Sequence, residues 1–243
     1  MIVHTKAIIL RVVDYQESSK ILTALTAEHG KIALIAKGAK KPKSKLSGVL
    51  EVGIVLDVVY YYKQSRGVQT LTEASVYYSS QKFRQDFERA AILYASLELI
   101  TQLVHEHEVN KPVFEFTSKL IQWLGEAEET YPSIFAYVQV RIAEISGIGL
   151  ISSLQQIPEI AYLNISSGNV SDKSEDELSY KLSDKQKRFL FLTMSGKSKK
   201  IFKIGLENGE LKQLVHHLDV YFKYHIEGYK ERRSDSIFEQ MLR

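Results

Sequence analysis

The hydrophobic period of this 243-residue chain changes once, near residue 80. Before that point the apolar residues come in short runs rich in Val, Ile, Thr and Tyr: "HTKAIILRVV", "SKILTALTA", "KIALIAKG", "GIVLDVVYYYK" and "GVQTLTEASVYY". Turn residues separate them at Glu28-His29-Gly30, at a lysine-rich stretch, and at Gln64-Ser65-Arg66-Gly67. β-Branched and aromatic runs bounded in this way read as strands. Five such runs with no helix between them predict a small antiparallel barrel, for which an OB-fold or an SH3-like barrel fits.

Beyond residue 80 the period lengthens to three or four. Phe83, Phe87, Ala91, Tyr94, Leu97, Thr101 and Val104 predict an amphipathic helix over 82–106. Pro112 suits the first turn of a second helix carrying Phe116, Leu120 and Trp123/Leu124. Pro132 opens a third through Ile145, closed by Gly147 and Gly149, and a short fourth is expected over 149–156. Residues 157–182 are polar and acidic and read as a small hairpin or irregular excursion. Ser183 is placed to cap a helix from Asp184 to Met194. A last long helix is predicted from about Glu210 to Tyr229, with a frayed tail from Arg232 to Arg243.

Composition excludes several chemistries. With no cysteine there is no disulfide, thiolate zinc site, iron–sulfur cluster or cysteine nucleophile. No run reaches the roughly 18 apolar residues of a membrane span. The start, "MIVHTKAIILRVVDYQ", is too short and too punctuated by His4, Lys6 and Arg11 for a signal peptide, so a cytoplasmic protein is expected. Gly196-Lys197-Ser198 resembles the end of a phosphate-binding loop, but Phe191 stands where the earlier glycine is required. The histidines of His105-Glu106-His107-Glu108 point to different helix faces and cannot easily share a metal, and His216-His217 fail likewise. His225 lies on an apolar stripe, as a histidine hydrogen-bonded within a core would. Asp172 to Glu177 lacks the ligand alternation of a calcium loop. No catalytic constellation and no cofactor motif is present, so no enzyme is expected.

Charge is distributed unevenly. Residues 1–80 hold 11 Lys and Arg against 6 Asp and Glu, a net of +5; the remainder holds 21 against 23, a net of −2. The excess concentrates in "LIAKGAKKPKSKLSG", where Lys37, Lys40, Lys41, Lys43 and Lys45 stand without an acidic neighbour. Such a run is either a solvated loop or a surface neutralised by a polyanion. OB barrels bind nucleic acid through strand faces and neighbouring loops. Arg11, Lys20 and Arg66 could extend the electropositive track. Of Tyr15, Tyr60, Tyr61, Tyr62, Tyr77 and Tyr78, alternation sends at least one ring outside the core, where a base could stack on it.

These residues resemble the start of the bacterial recombinational-repair family RecO. An opening strand leads into a Tyr-x-Glu-x-Ser turn, here Tyr15-Gln16-Glu17-Ser18-Ser19. A second strand ends in Thr26 to Lys31, matching Thr-x-x-x-Gly-Lys, and the signature Ala36-Lys37-Gly38-Ala39-Lys40-Lys41-Pro42-Lys43-Ser44 follows. Looser likeness continues through "LTEASVYYSSQKFRQDFERAAILYASLELI", "VQVRIAEISGIG" and "LDVYFKYHIEGYKERRS". Many members carry a four-cysteine zinc module after the Ser-Gly-Ile-Gly-like turn; here "IPEIAYLNISSGNVSD" has no cysteine and must hold itself without metal.

Residues and resemblance together predict an α+β fold. Residues 1–80 are an OB-fold DNA-binding domain, and 81–235 a helical domain with a metal-free excursion at about 157–182. Residues 236–243 are a flexible tail. The resemblance implies a recombination mediator that binds single- and double-stranded DNA and anneals complementary strands. It further implies engagement of the C-terminal tail of the single-stranded-DNA-binding protein and, with RecR and RecF, recombinase loading. A basic patch around "FLFL", with Lys187, Arg188, Phe189 and Lys199, is the candidate site for that acidic, hydrophobic tail. The alternative from another class is a protein–protein adaptor whose DNA contact is incidental.

Overall fold

Strand pairing closes the N-terminal segment into a barrel in the order β1-β2-β3-β5-β4, the OB-fold arrangement. The strands are β1 (Ile2–Tyr15), β2 (Ser19–Thr26), β3 (Gly30–Ala36), β4 (Val55–Tyr61) and β5 (Val68–Tyr78). The computed structural model describes residues 1–196 and 200–242. β1 is long enough to serve two neighbours: its first half pairs with β4 and its second with β2. A bulge between Ile9 and Arg11 bends it from one to the other. β3 and β5 close the barrel in parallel, Ala33 opposite Val68. Alternation fills the interior with Ile9, Leu22, Leu34, Leu56, Val58, Tyr60 and Leu71.

The chain divides into two compact units, Met1–Glu128 and Glu129–Arg243. The first therefore includes α1 (Lys82–Gln85), α2 (Phe87–Leu103) and α3 (Lys111–Glu126) as well as the barrel. Hydrogen bonding explains why these helices stay with the strands. The carbonyls at the C-terminal end of α3, most of which no helical N–H can reach, accept from groups between β5 and α2. Tyr78 Oη donates to Gln122 O at 3.2 Å and Ser80 Oγ to Gly125 O at 3.2 Å. Lys82 Nζ donates to Glu126 O at 3.1 Å and Ala127 O at 2.9 Å. Arg89, buried and paired with Asp86, donates to Leu124 O and to Ala127 O at 3.0 Å. Close approach is literal at Gly125, where a Cβ would lie 2.1 Å from the Tyr78 hydroxyl.

Two features depart from the expected helix over 82–106. Asp86 adopts an extended conformation and caps α2 through Arg89 N at 3.1 Å, so the chain makes two helices. The buried stripe is also differently phased: Ala91, Ile92, Leu93, Ala95, Ser96, Leu97, Leu99 and Ile100 are inside, whereas Phe87 and Tyr94 are exposed. A helix apolar on most sides carries too little contrast for its sequence to fix the inward face. α3 starts as expected, with Asn110 as cap and Pro112 in its first turn.

The second unit holds α4 (Ser133–Ile145), the sheet β7-β6-β8 (Asn169–Ser171, Tyr162–Asn164, Ser179–Lys181), α5 (Asp184–Ser195), a 3-10 turn (Ile201–Ile204), α6 (Asn208–His225) and α7 (Asp235–Met241). Ser183 and Gln186 form a full capping box on α5. The helix expected over 149–156 is absent: Ile151 bridges Asn169 in parallel, which keeps that stretch extended. α6 ends at His225, before the expected Tyr229, because Ile226 turns extended. The tail expected to fray is α7 instead, anchored by buried Phe238 against Phe135. Before it, buried Arg232 grips Asp219 with both terminal nitrogens, at 2.5 and 2.6 Å, and pairs with Asp235 at 2.7 Å.

Candidate nucleic-acid interface

The lysine run lies between β3 and β4 and is fastened down. Ala39, Leu50 and Ile54 belong to the barrel core, and Leu46 and Val49 pack against it. The backbone coils between these pegs in successive turns: Lys41 N to Gly38 O (3.1 Å), Ser44 N to Lys41 O (2.9 Å), Ser47 N to Ser44 O (3.1 Å). Gly38 and Gly48 supply left-handed backbone at φ 70° and 82°. Lys40 N donates to Ser18 O at 2.9 Å, tying the loop to the β1–β2 turn. The apolar residues face the barrel mouth, and Lys37, Lys41, Lys43 and Lys45 are left exposed. Among the described residues none of these four has an ion-pair partner.

Lys40 differs. Its Nζ lies 2.9 Å from Asp14 Oδ2. Asp14 is also the cross-strand neighbour of Lys20, which in turn faces Ala36 at the root of the loop. The hydrogen bond from Lys40, reinforced by the charges of Lys40 and Lys20, holds the Asp14 carboxyl below its usual range. Asp14 was not among the residues the sequence pointed to. The signal existed: a three-residue turn between Tyr15 and Ser19 forces Asp14 opposite Lys20.

Arg11 is exposed at the bulge of β1, opposite Thr23, and alternation puts it on the outer sheet face with Val13 and Tyr15. Val13 is 43% and Tyr15 40% exposed, and half-buried Ile21 and Ile35 lie across from Val13 in register. The outer face beside the lysines is thus apolar, with one aromatic ring. Arg66 is exposed elsewhere, in the β4–β5 turn. β5 starts at Val68 opposite Ala33 and runs parallel to β3, so that turn lies toward the start of β3 and the lysine loop at its end. Buried Gln69 shapes the turn, accepting from Lys63 N at 2.8 Å and donating to Arg66 O at 2.6 Å. The structure therefore gathers Lys20, Lys37, Lys40, Lys41, Lys43 and Lys45 at one barrel end, puts Arg11 on the adjoining face, and leaves Arg66 apart.

The other tyrosines divide. Tyr60 is in the core, its hydroxyl 2.7 Å from His29 Nδ1, and burial pushes its pKa up to about 12. Tyr62 stacks on His29 at 3.9 Å. Tyr77 lies outside and carries Lys6 Nζ 3.4 Å above its ring.

The second basic patch does not form as expected. Phe189 is 0% exposed, in the core of the second unit. Lys187 is 8% exposed, with its Nζ 2.6 Å from Asp184 and donating to Glu159 O. On α5, residues 186, 187, 189 and 190 all turn inward, so neither side chain is presented to a partner. Arg188 is exposed, and Lys185 is paired with Glu207 at 2.9 Å. Lys197 and Lys199 lie outside the described residues. His225 Nε2 meets Ile165 O at 2.8 Å, as its place on the apolar stripe suggests. Among the described residues no cluster of His, Asp or Glu could hold a metal ion, and no helix is long and apolar enough to cross a membrane.

Comparison with known proteins agrees with this architecture. The family model for the N-terminal part of recombination protein O matches residues 1–79, and that for its C-terminal part matches residues 84–235. DNA repair protein RecO of Chlorobium limicola is 37% identical over 156 residues, 64% of this chain and 59% of its own length. The RecO of Salinibacter ruber is 35% identical over 147 residues, 60% of this chain and 56% of its own length. The chain thus spans less than two thirds of these relatives in alignment, whereas the RecO of Chloroherpeton thalassium aligns over the full length of both chains at 28% identity. With both family models matched in order, one over the barrel and one over the helical part, the chain belongs to the RecO family.

Proposed function

We propose that this protein is a DNA-binding recombination mediator in DNA repair, one that holds single- and double-stranded DNA and anneals complementary strands without bond-making chemistry. The observation that carries the reading is the fastened lysine loop. Four unpaired ammonium groups project from a loop pegged to the barrel mouth. Ammonium groups on flexible stems follow a phosphate backbone without reading bases. Tyr15 and the apolar outer face adjoin them and suit unstacked bases. Bringing two neutralised strands together lowers their repulsion, and annealing follows from base pairing alone.

Membership of the family supports the finer part of the proposal: with RecR and RecF, the protein helps load the recombinase on strands coated by the single-stranded-DNA-binding protein. The coating protein's tail is assigned no pocket here, since Lys187 and Phe189 are internal. The test is strand annealing of complementary oligonucleotides with and without the coating protein. Acceleration in both states supports the mediator. Acceleration in neither, with salt-insensitive or absent oligonucleotide binding, favours the protein–protein adaptor.

A further inference from the structure

The zinc module expected after the Ser-Gly-Ile-Gly turn of many family members corresponds here to β6, β7, β8 and the loop joining β7 to β8. Zinc in such a module needs four nitrogen or thiolate donors. The chain has no cysteine, and the described residues offer no carboxylate or imidazole cluster in its place. The residues do not fit a metal. Three strands of three residues each bury just two apolar side chains of their own, Leu163 and Val170, so little apolar packing holds them to one another.

We infer that the side-chain amide of Asn164 is the cross-link that holds them. Asn164 ends β6 and is 0% exposed. Its Nδ2 donates to Ser171 Oγ on β7 at 3.0 Å and to Lys173 O in the loop at 3.2 Å. Its Oδ1 accepts from Glu175 N at 3.1 Å and from Ser179 Oγ on β8 at 2.6 Å. A primary amide has two donor hydrogens and two acceptor lone pairs, and here all four are used. Four chain segments meet at one buried group, as four ligands would meet at a metal. Ser179 Oγ also accepts from Glu175 N and Asp176 N, each at 3.1 Å, so it extends the same knot into the loop. The module then depends on neither metal occupancy nor thiol redox state, since it holds no thiolate to oxidise or lose to a chelator.

Amide hydrogen exchange of the full-length protein tests this. Chelator is expected to leave protection of residues 162–181 unchanged. Asn164→Asp keeps the shape but loses both donors and turns a carboxylate toward Lys173 O. It should lower protection there by about tenfold or more, as unpaired buried polar groups do, and leave the barrel strands unaltered. Should that variant fail to fold, Ser179→Ala is the milder break, expected to lower the same protection by a few-fold. Loss of protection on chelation would overturn the inference. So would unchanged protection of 162–181 in Ser179→Ala or in folded Asn164→Asp. Because none of these readouts involves DNA, they stand or fall separately from the mediator reading.

Discussion

Lys40 sits among four free lysines, yet it is neutralised within the molecule by Asp14. The pair is solvent-exposed, so phosphate can compete for the ammonium group, and the carboxylate opposes every approach of DNA. Asp14→Asn is expected to tighten binding of a single-stranded oligonucleotide roughly two- to fivefold, the scale of an exposed ion pair. It should also steepen the log–log salt dependence by about 0.7, one further counterion released. Fluorescence anisotropy over a salt series measures both; weaker binding would mean that Asp14 chiefly positions the loop. Arg89 is the opposite kind of charge, buried and holding the carbonyls that end α3. Arg89→Met removes charged hydrogen bonds and strands those carbonyls, so the first unit should lose about 2–4 kcal/mol in denaturant unfolding. Nothing in the helical period announced Arg89, because its role depends on a helix end 35 positions away.

At the scale of elements, local chemistry decided what was legible. The five strands, the cap at Ser183 and the prolines of α3 and α4 are all visible in the sequence because each is set by neighbours a few residues away. The extended stretch near Ile151 and the docking of α7 were hidden, since each is imposed by a distant partner, whereas the break at Asp86 is a local cap on Arg89 N that the continuing apolar period masked. α6 carries a pH-sensitive example. Its His217 stacks on Tyr180 of β8 at 3.9 Å, and burial, helped by the charge of His216, pushes its pKa down to about 4. Protonation therefore favours the unfolded chain, where the ordinary value is near 6.5. The stabilisation is whole above pH 6.5 and drains away as pH falls toward 4. Melting temperature followed across that window should fall in the native protein, and His217→Phe should flatten the decline. An unchanged slope would place the proton elsewhere.

The whole molecule joins a barrel-bearing unit to a largely helical one, and the positive charge is concentrated in the barrel segment, residues 1–80, with its net of +5. The site was legible to the extent that charge clustering is local: the five lysines, Lys20 and Arg11 gather at or beside one barrel end, whereas Arg66 is separated by strand register. Of the partner-tail residues, Lys187 and Phe189 turn inward, because a basic helix with apolar neighbours does not reveal which lysine folds inward. The proposed function places the phosphate chain on Lys37, Lys41, Lys43 and Lys45. Four such contacts to single-stranded DNA correspond to a log–log salt slope of about −2.8 from the loop alone. Replacing the four by Glu and titrating a poly-dT oligonucleotide against salt measures that quantity directly, with the circular dichroism melt as a check on folding. The prediction is that the folded variant loses at least that much slope together with its strand annealing. A folded variant that keeps the native slope and anneals at the native rate would contradict it.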